Sequence, residues 1–430
     1  MLFKDVFSKA YIIVAFLIWT IHEMTSADLG IESDIFEVGQ ASGGVIRDKH
    51  RGRTFIVDAG HSGSSEDTIP LLRRFNNAIF GKVGGHTRLA GALLSHADGD
   101  HVKLLTRILN SNSRALKDQN SIPGQELTVY LGSPFLGYCT GSGKPCLDAL
   151  IAVNARIKPL SHVMTSEQAY EEAHKKTMVG IKPRPYFMNV LIPEFSDPAR
   201  QLALIIMAAN SLYGGRAKFL GTTVTPGLLD DATPIESSTV EENTIFRDGT
   251  NNNGAVVKLT YIGKRIIFPG DINGDHCTDR LLVSVSRFDI SFLKTDVLIA
   301  AHHGADRERT NNPAWLLMSD AAYIIVSAGA MEGNYIHPRF NSLLNMATIL
   351  KCNKFYVTPH IIQCGDPTGL AIMECEKLVE IFCLKVGSKV TGKGGKWIQM
   401  NTHLPLYTTR TSSDVRITIT SIGTLTVEES

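Results

Sequence analysis

The chain has no surplus of either charge. Lys and Arg number 43 against 42 for Asp and Glu among 430 residues, a formal net charge of +1, so no global field draws it to DNA or anionic lipid and any such affinity has to be local. Charge is also sparse, at 20% of residues against 43% apolar, which leaves a globular chain able to bury a large core without disulfides or cofactors. No internal repeat and no long low-complexity segment is present. That excludes solenoids and repeat arrays, and leaves one main domain over residues 28–400 with a hairpin extension over 401–430.

A zinc-ribbon cysteine pattern is missing too. Cys352, Cys364, Cys375 and Cys383 follow one another at steps of twelve, eleven and eight, and read as buried or disulfide cysteines. Cys139 and Cys146 flank the Gly-rich CTGSGKPC, where a short disulfide is expected in an oxidising compartment. With seven cysteines in all, at least one thiol is left unpaired or intermolecular. The leading apolar run, Ala10 to Ile21, has twelve residues, too few to span a bilayer comfortably as a helix. Lys4 and Lys9 precede it and small residues ending at Ala27 follow, the build of a secretory signal peptide over residues 1–27. Cleavage there implies export, periplasmic or extracellular, with no stable membrane insertion afterwards. An uncleaved anchor, and a cytoplasmic protein started at Met24, are the alternatives.

What is present is a series of short apolar runs, each ending in a polar cluster. Phe55-Ile56-Val57 runs into Asp58-Ala59-Gly60, Ala92-Leu93-Leu94 into Ser95-His96, and Arg265 to Phe268 into Gly270-Asp271. Val297 to Ala301 runs into His302-His303-Gly304, and Tyr323 to Val326 into Ser327. Runs of this length read as buried strands, and five of them deliver polar side chains to strand ends, as a site at one edge of stacked sheets requires. Leu104, Leu105, Ile108 and Leu109 have helical spacing after His101. Thr165 and Gln168 form a candidate capping box ahead of EQAYEEAHKK. Residues 211–253, rich in Gly, Thr, Asn and Asp, read as a long surface loop, and Val415 to Val427, broken by Gly423, as a hairpin.

The strongest signal is SHADGDH, which puts His96, Asp98, Asp100 and His101 within six residues at a strand end. Four potential ligands on one turn can converge on cations that a regular helix or strand would spread over different faces. A solvated acidic loop with two surface histidines is the bland alternative. The downstream Asp271, the His302-His303 pair and His337, all at strand ends, argue against it.

These segments resemble the metallo-β-lactamase domain of ComEC-type competence proteins. The likeness is carried by FEVGQ (Phe36 to Gln40), IVDAG (Ile56 to Gly60), LLSHADGDH, NNNGAVVKLTYIGKRIIFPGD (Asn251 to Asp271), TDVLIAAHHG (Thr295 to Gly304) and SAGAMEGNYIHP (Ser327 to Pro338), over roughly residues 34 to 340. The resemblance implies an α/β fold, a four-layer αββα sandwich with one or two divalent metals between the sheet edges. It implies that Asp271 bridges the two metals, that Asp100 and His101 hold the second, and that Asp58 supports the site. Three features depart from the family: Asp98 stands where a second histidine is usual, Ala41-Ser42 replaces a Gly-Asp step, and His162 and His174 come too early to supply a third-site histidine. Exchanging an imidazole for the Asp98 carboxylate hardens the site, moving preference from zinc toward manganese or magnesium.

The chemistry so implied is hydrolysis by a metal-activated water, with Asp100 orienting the nucleophile. His302, His303 and His337 would supply a last ligand or a proton donor; His337 is favoured as the ligand and the His302-His303 pair as facing substrate. Asn253 either hydrogen-bonds a substrate oxygen or simply forms a turn. The expected substrate is a phosphoester, DNA among the candidates, so a phosphodiesterase or nuclease leads, with no obligate protein partner inferred. Hydrolysis of another ester or amide, phosphocholine-type or lactone, and a catalytically inactive binding domain are the rival functions.

Overall fold

Arg53–Ala59 is seven consecutive buried residues, and only a strand covered on both faces can be built from such a run. Alternate side chains divide it: Ile56 enters a core packed by helices, while Phe55 and Val57 enter a second core shared with another sheet. The computed structural model describes residues 29–36, 38, 41–61, 68–81, 87–132, 136–160, 190–209, 254–272, 290–306, 310–328, 337–339, 342–343, 345–346, 348–350, 359–362, 370–373, 378–384, 397–403, 406–409 and 414–429. The segment read as a signal peptide, the candidate capping box with its helix, His162, His174, the loop over 211–253, Asn253, Cys352, Cys364 and Cys375 lie outside the described residues.

The strands are β1 (Ile31–Ile35), β2 (Gly43–Asp48), β3 (Arg53–Ala59), β4 (Arg88–Leu94), β5 (Thr128–Leu131), β6 (Arg156–Pro159), β7 (Val190–Leu191), β8 (Leu202–Ala208), β9 (Val256–Tyr261) and β10 (Lys264–Phe268). They continue with β11 (Val297–Ile299), β12 (Tyr323–Val326), β13 (Pro359–Ile362), β14 (Leu370–Met373), β15 (Leu378–Leu384), β16 (Trp397–His403), β17 (Leu406–Thr408), β18 (Val415–Ile419) and β19 (Leu425–Glu429). An eight-stranded sheet has the order β19-β18-β1-β2-β3-β4-β5-β6 and a seven-stranded sheet the order β17-β12-β11-β10-β9-β8-β7; β13 pairs with β14 and β15 with β16. The expected C-terminal hairpin is β18-β19, turning at Gly423 (φ +84°), and β18 pairs antiparallel with β1 inside the first sheet.

Three apolar cores fill the spaces between four layers. Helices α1 (Thr68–Phe80), α2 (Gly99–Ser111), α3 (Ser113–Asn120), α4 (Leu136–Cys139) and α5 (Lys144–Ala152) lie along the first sheet, and α6 (Pro313–Ser319) packs on the second. The periodic face expected after His101 is the buried face of α2: Val102, Leu104, Leu105, Ile108 and Leu109. Between the sheets, Phe55 and Leu93 meet Leu204, Val257, Ile266 and Val297. The fold is thus the αββα sandwich expected from the resemblance. Among the described residues no helix is long and apolar enough to cross a membrane.

The disulfide expected between Cys139 and Cys146 is not formed; both are buried thiols. Cys146 sits in the first turn of α5, inside the helix-side core, where burial pushes its thiol up to about 12 against a small opposing effect of Thr106. It stays protonated and inert.

An ionic clamp joins the sheets at the end of β3 away from Asp58. Buried Asp48 accepts from Arg53 Nε at 3.1 Å and from an Arg200 terminal nitrogen, ahead of β8, at 2.7 Å. Burial raises the Asp48 pKa, but the Arg200 hydrogen bond and the two guanidinium charges outweigh it and hold the carboxyl below its ordinary 3.8. Because the folded state binds this proton more weakly than the unfolded chain, the clamp's contribution is full above pH 3.8 and drains as pH falls through the lower folded value. Asp48→Asn strands two cations and is expected to cost about 3 kcal/mol in urea unfolding at pH 7. It should also flatten the loss of stability with acid; an unchanged acid limb would refute the clamp.

Candidate metal centre

Parallel pairing puts the carboxyl ends of β3 and β4 in one sheet, and of β10, β11 and β12 in the other, at one edge of the sandwich. The crevice beyond such strand ends is where open α/β sheets place ligands. Asp58 ends β3 with a left-handed backbone (φ +55°), a conformation that costs free energy outside glycine. So turned, its buried carboxylate accepts from the Ser95 backbone N–H and the Ser95 hydroxyl, both at 2.7 Å, and from His101 Nδ1 at 2.9 Å. The Ser95 carbonyl accepts from Ala255 N–H at 3.0 Å, tying the metal loop to the entry of β9 in the opposite sheet.

The loop itself rests on a glycine. A Cβ on Gly60 would lie 1.5 Å from the Asp100 carbonyl oxygen, so only glycine lets the turn after β3 back onto the first residues of α2. Ser42 donates its backbone N–H to that carbonyl at 3.0 Å, and Gly60 its own to Ser42 O at 2.8 Å. Ala41-Ser42, which departs from the family's Gly-Asp step, thus anchors the metal loop through backbone alone.

The second sheet contributes a turn of three successive left-handed residues, His302 (φ +50°), His303 (φ +53°) and Gly304 (φ +79°). Such strain persists only where surroundings over-determine it. Buried Asn311 does so: its amide accepts from Ala301 N–H at 3.1 Å and donates to the carbonyls of Ala301 and Ala305 at 2.9 and 2.8 Å. Gly270 O accepts from His302 N–H at 3.0 Å, joining this turn to the Asp271 turn.

His303 Nδ1 lies 2.9 Å from the Ser327 carbonyl. A carbonyl only accepts, so Nδ1 carries a proton and Nε2 is the nitrogen left to face the site. That nitrogen is 3.4 Å from Asp271 Oδ2 and 3.9 Å from Asp100 Oδ2. His101 shows the same arrangement, with Nδ1 on Asp58 and Nε2 3.3 Å from Asp271 Oδ1. His101 Nε2, His303 Nε2 and Asp271 Oδ1 are all buried without a well-formed hydrogen bond. One donor atom from each of Asp100, His101, Asp271 and His303 lies within 4.8 Å of the others, and His96, Asp98 and Asp100 form a second such group.

Electrostatics point the same way. Burial opposes charge on all three groups, yet Asp271 and Asp58 raise His101 well above the usual imidazole value and Asp271 raises His303. The imidazoles of His303, His101 and His302 in turn hold Asp271 well below the carboxylate range. Each group asks for positive charge in the space between them. Two imidazoles and two carboxylates converging there fit a divalent cation such as zinc or manganese.

Nine of the ten residues of the expected site are described, and they lie at this edge in unequal positions. His96 (1% exposed) faces Asp98 across 3.5 Å, and the Asp98 side chain is 54% exposed. Asp100, rather than the bridging Asp271 that the resemblance implied, is the residue common to both groups. His303, not His337, completes the four-residue group, since its left-handed turn and the Ser327 carbonyl aim the ring inward. His337 packs 5.3 Å from the His302 ring, and burial with the neighbouring His302 and His303 drives it down to about 2. His302 is lowered to about 4, burial outweighing Asp271. Both are neutral at pH 7, so neither brings positive charge to the site. Ser95, Gly60 and Asn311 escaped that reading, although the first two stand inside the quoted SHADGDH and VDAG motifs.

No family model and no curated protein matches the chain. Among solved structures it is similar to human tRNase Z, short form, at 13% identity, covering 68% of this chain and 91% of that one with a TM-score of 0.33. It is likewise similar to unliganded yeast PDE1 at 10% identity, covering 76% of this chain and 95% of that one, also with a TM-score of 0.33. Likenesses this distant assign no role to any residue here.

Gly60→Ala is expected to displace the Asp100 carbonyl and with it the loop. Purified protein should lose at least about tenfold in metal affinity while keeping its far-UV circular dichroism. Undiminished metal uptake would show that the Gly60 contact does not set the loop.

Proposed function

We propose that the chain is a metal-dependent phosphodiesterase of the metallo-β-lactamase superfamily, close to its ComEC-like branch, acting on nucleic acid. The observation that carries this is the pair of buried imidazole nitrogens of His101 and His303, without a well-formed hydrogen bond, turned on the two oxygens of Asp271. Asp271, His101, His303 and Asp100 would hold one divalent metal, and His96, Asp98 and Asp100 a second, harder position suited to manganese. A metal held there supplies Lewis acidity toward a phosphoryl oxygen and makes water nucleophilic at neutral pH.

The remaining roles belong to the chain. Asp100, its side chain 36% exposed, stands between the two groups at the mouth, where it accepts a hydrogen bond from an incoming water and orients it. His302, 13% exposed and neutral at pH 7, is placed to donate a ring N–H to a phosphoryl or leaving oxygen. The dry floor beneath, Ser95 and Asp58 among it, keeps the ligand rings from turning.

Support for a polymeric substrate comes from the helices that leave the site. Lys103, Arg107, Arg114 and Lys117 are exposed along α2 and α3 and make no ion pair with a described residue. Their spacing of four, seven and three residues keeps them on one solvent face through the break at Asn112. The stripe covers roughly 20 Å, a length over which a nucleic-acid strand presents about six phosphates. It is the local basic patch that the near-zero net charge demands of a DNA- or RNA-binding surface.

The test is hydrolysis of single-stranded DNA and RNA, bis-p-nitrophenyl phosphate, a phosphocholine ester and a lactone, with manganese or zinc. Chelation should abolish phosphodiester cleavage and metal should restore it; Asp271→Ala, folded by circular dichroism, should lose at least about 1,000-fold in kcat/KM. Full activity of Asp271→Ala, or turnover of the lactone or phosphocholine ester alone, overturns the reading. Arg107→Glu with Arg114→Glu should raise KM for polynucleotide about tenfold and lower the salt slope by about 2. Equal losses on the small diester and the polymer would remove the stripe from substrate binding.

A further inference from the structure

One hydroxyl touches both groups of ligands. Ser95 Oγ lies 2.7 Å from Asp58 Oδ2, 3.1 Å from His96 Nδ1 and 3.0 Å from His101 Nδ1. Ser95 is 1% exposed, and a Cβ on Gly270 would lie 2.7 Å from its own Cβ while one on Gly132 would lie 2.3 Å from its carbonyl. Glycines wall it in, so the hydroxyl has little freedom to seek other partners. The two rings it touches lie 3.9 Å apart, centroid to centroid, and belong to different ligand groups.

A serine hydroxyl has one proton to give and two lone pairs to accept with. Asp58 as a carboxylate can only accept, and at 2.7 Å it takes that proton. Both remaining contacts must then run the other way, from ring N–H to hydroxyl oxygen, the His101 Nδ1–H being shared between Ser95 Oγ and Asp58 Oδ2 at 2.9 Å. Each imidazole carries its proton on Nδ1, and each Nε2 is the face left for a metal: toward Asp98 from His96 at 3.5 Å and toward Asp271 from His101 at 3.3 Å.

We propose that Ser95 is the positioning residue that sets the orientation of both His96 and His101, a single saturated hydroxyl holding the ligand nitrogens of both metal positions outward at once. The proposal rests on the metal-centre reading, but the Nδ1–H pattern belongs to the protein with or without metal. It requires the two positions to weaken together when the hydroxyl is removed. His101, which keeps Asp58, would weaken less than His96.

The experiment is one-bond ¹H–¹⁵N correlation of the histidine side chains in metal-free protein, with competition titration of zinc or manganese at both positions. Wild type should show Nδ1–H signals from both His96 and His101, protected from solvent exchange. Ser95→Ala, which only removes one oxygen, should lose that protection on His96 and reduce it on His101, whose Nδ1–H keeps Asp58, and should weaken both metal positions, that of His96 about 10- to 100-fold. Asp58→Asn replaces an acceptor by an amide donor, so it should turn the Ser95 proton away and displace the proton from His101 Nδ1, whatever the fate of Ser95→Ala. A wild-type His96 or His101 protonated on Nε2 alone overturns the proposal, as does a Ser95→Ala protein with both affinities within about twofold of wild type. Wild type that shows both Nδ1–H signals yet takes up no metal would sink the metal-centre reading and leave the hydroxyl's role standing.

Discussion

Asp271, His101 and His303 are buried together with their acceptor atoms facing one another, and that juxtaposition is tolerable only with positive charge in the middle. Removing a carboxylate and two imidazole lone pairs from water costs several kcal/mol when nothing replaces the lost hydration. A proton partly relieves it, which is why the imidazoles hold theirs and the carboxylate gives its own up. A divalent cation relieves it better, neutralising two carboxylates and engaging both nitrogens. A cation bound only by this native arrangement would stabilise it by mass action.

The surrounding structure serves to keep that arrangement from relaxing. The left-handed residues His302, His303 and Asp58 would each gain by reverting to ordinary backbone. They are held by contacts from distant chain: the Asn311 amide, the Ser327 and Gly270 carbonyls, and the backbone of Ser95. Most of these restraints use main-chain groups, which do not swing as side chains do. Ligands thus sit at the ends of rigid strands, and the residues left most exposed at the mouth are Asp98, Asp100 and His302.

Much of this was readable from residue order. Strands that are buried on both faces leave long apolar runs, and the runs at Ile56, Leu93, Ile267, Leu298 and Ile325 all lie in strands ending at the site edge. The SHADGDH cluster was legible because four ligand-type residues on one turn are uncommon. The choice between His303 and His337 was not, because it depends on backbone angles and on a carbonyl arriving from β12. Ser95, Gly60 and Asn311 were invisible for a related reason: serine, glycine and asparagine are common in turns, and their importance lies in partners such as Asp58, 37 residues from Ser95, Asp100, 40 from Gly60, and Ala305, 6 from Asn311. The expected Cys139–Cys146 bridge failed because spacing says nothing of direction, and both thiols point into packed apolar surroundings.

The eight-stranded sheet is assembled from both ends of the described chain. Ile31 of β1 faces Ile419 of β18, and Asp34 takes Arg416 at 2.8 Å. During synthesis β1 therefore emerges long before its outer neighbour and has only β2 to lie against until β18 has been made. Contacts of such sequence separation slow folding, and a waiting strand edge is a ready template for pairing with other chains. This protein should depend on chaperones that shield nascent β-structure, and truncation before β18 should yield insoluble material even though every ligand of the metal centre has already been made.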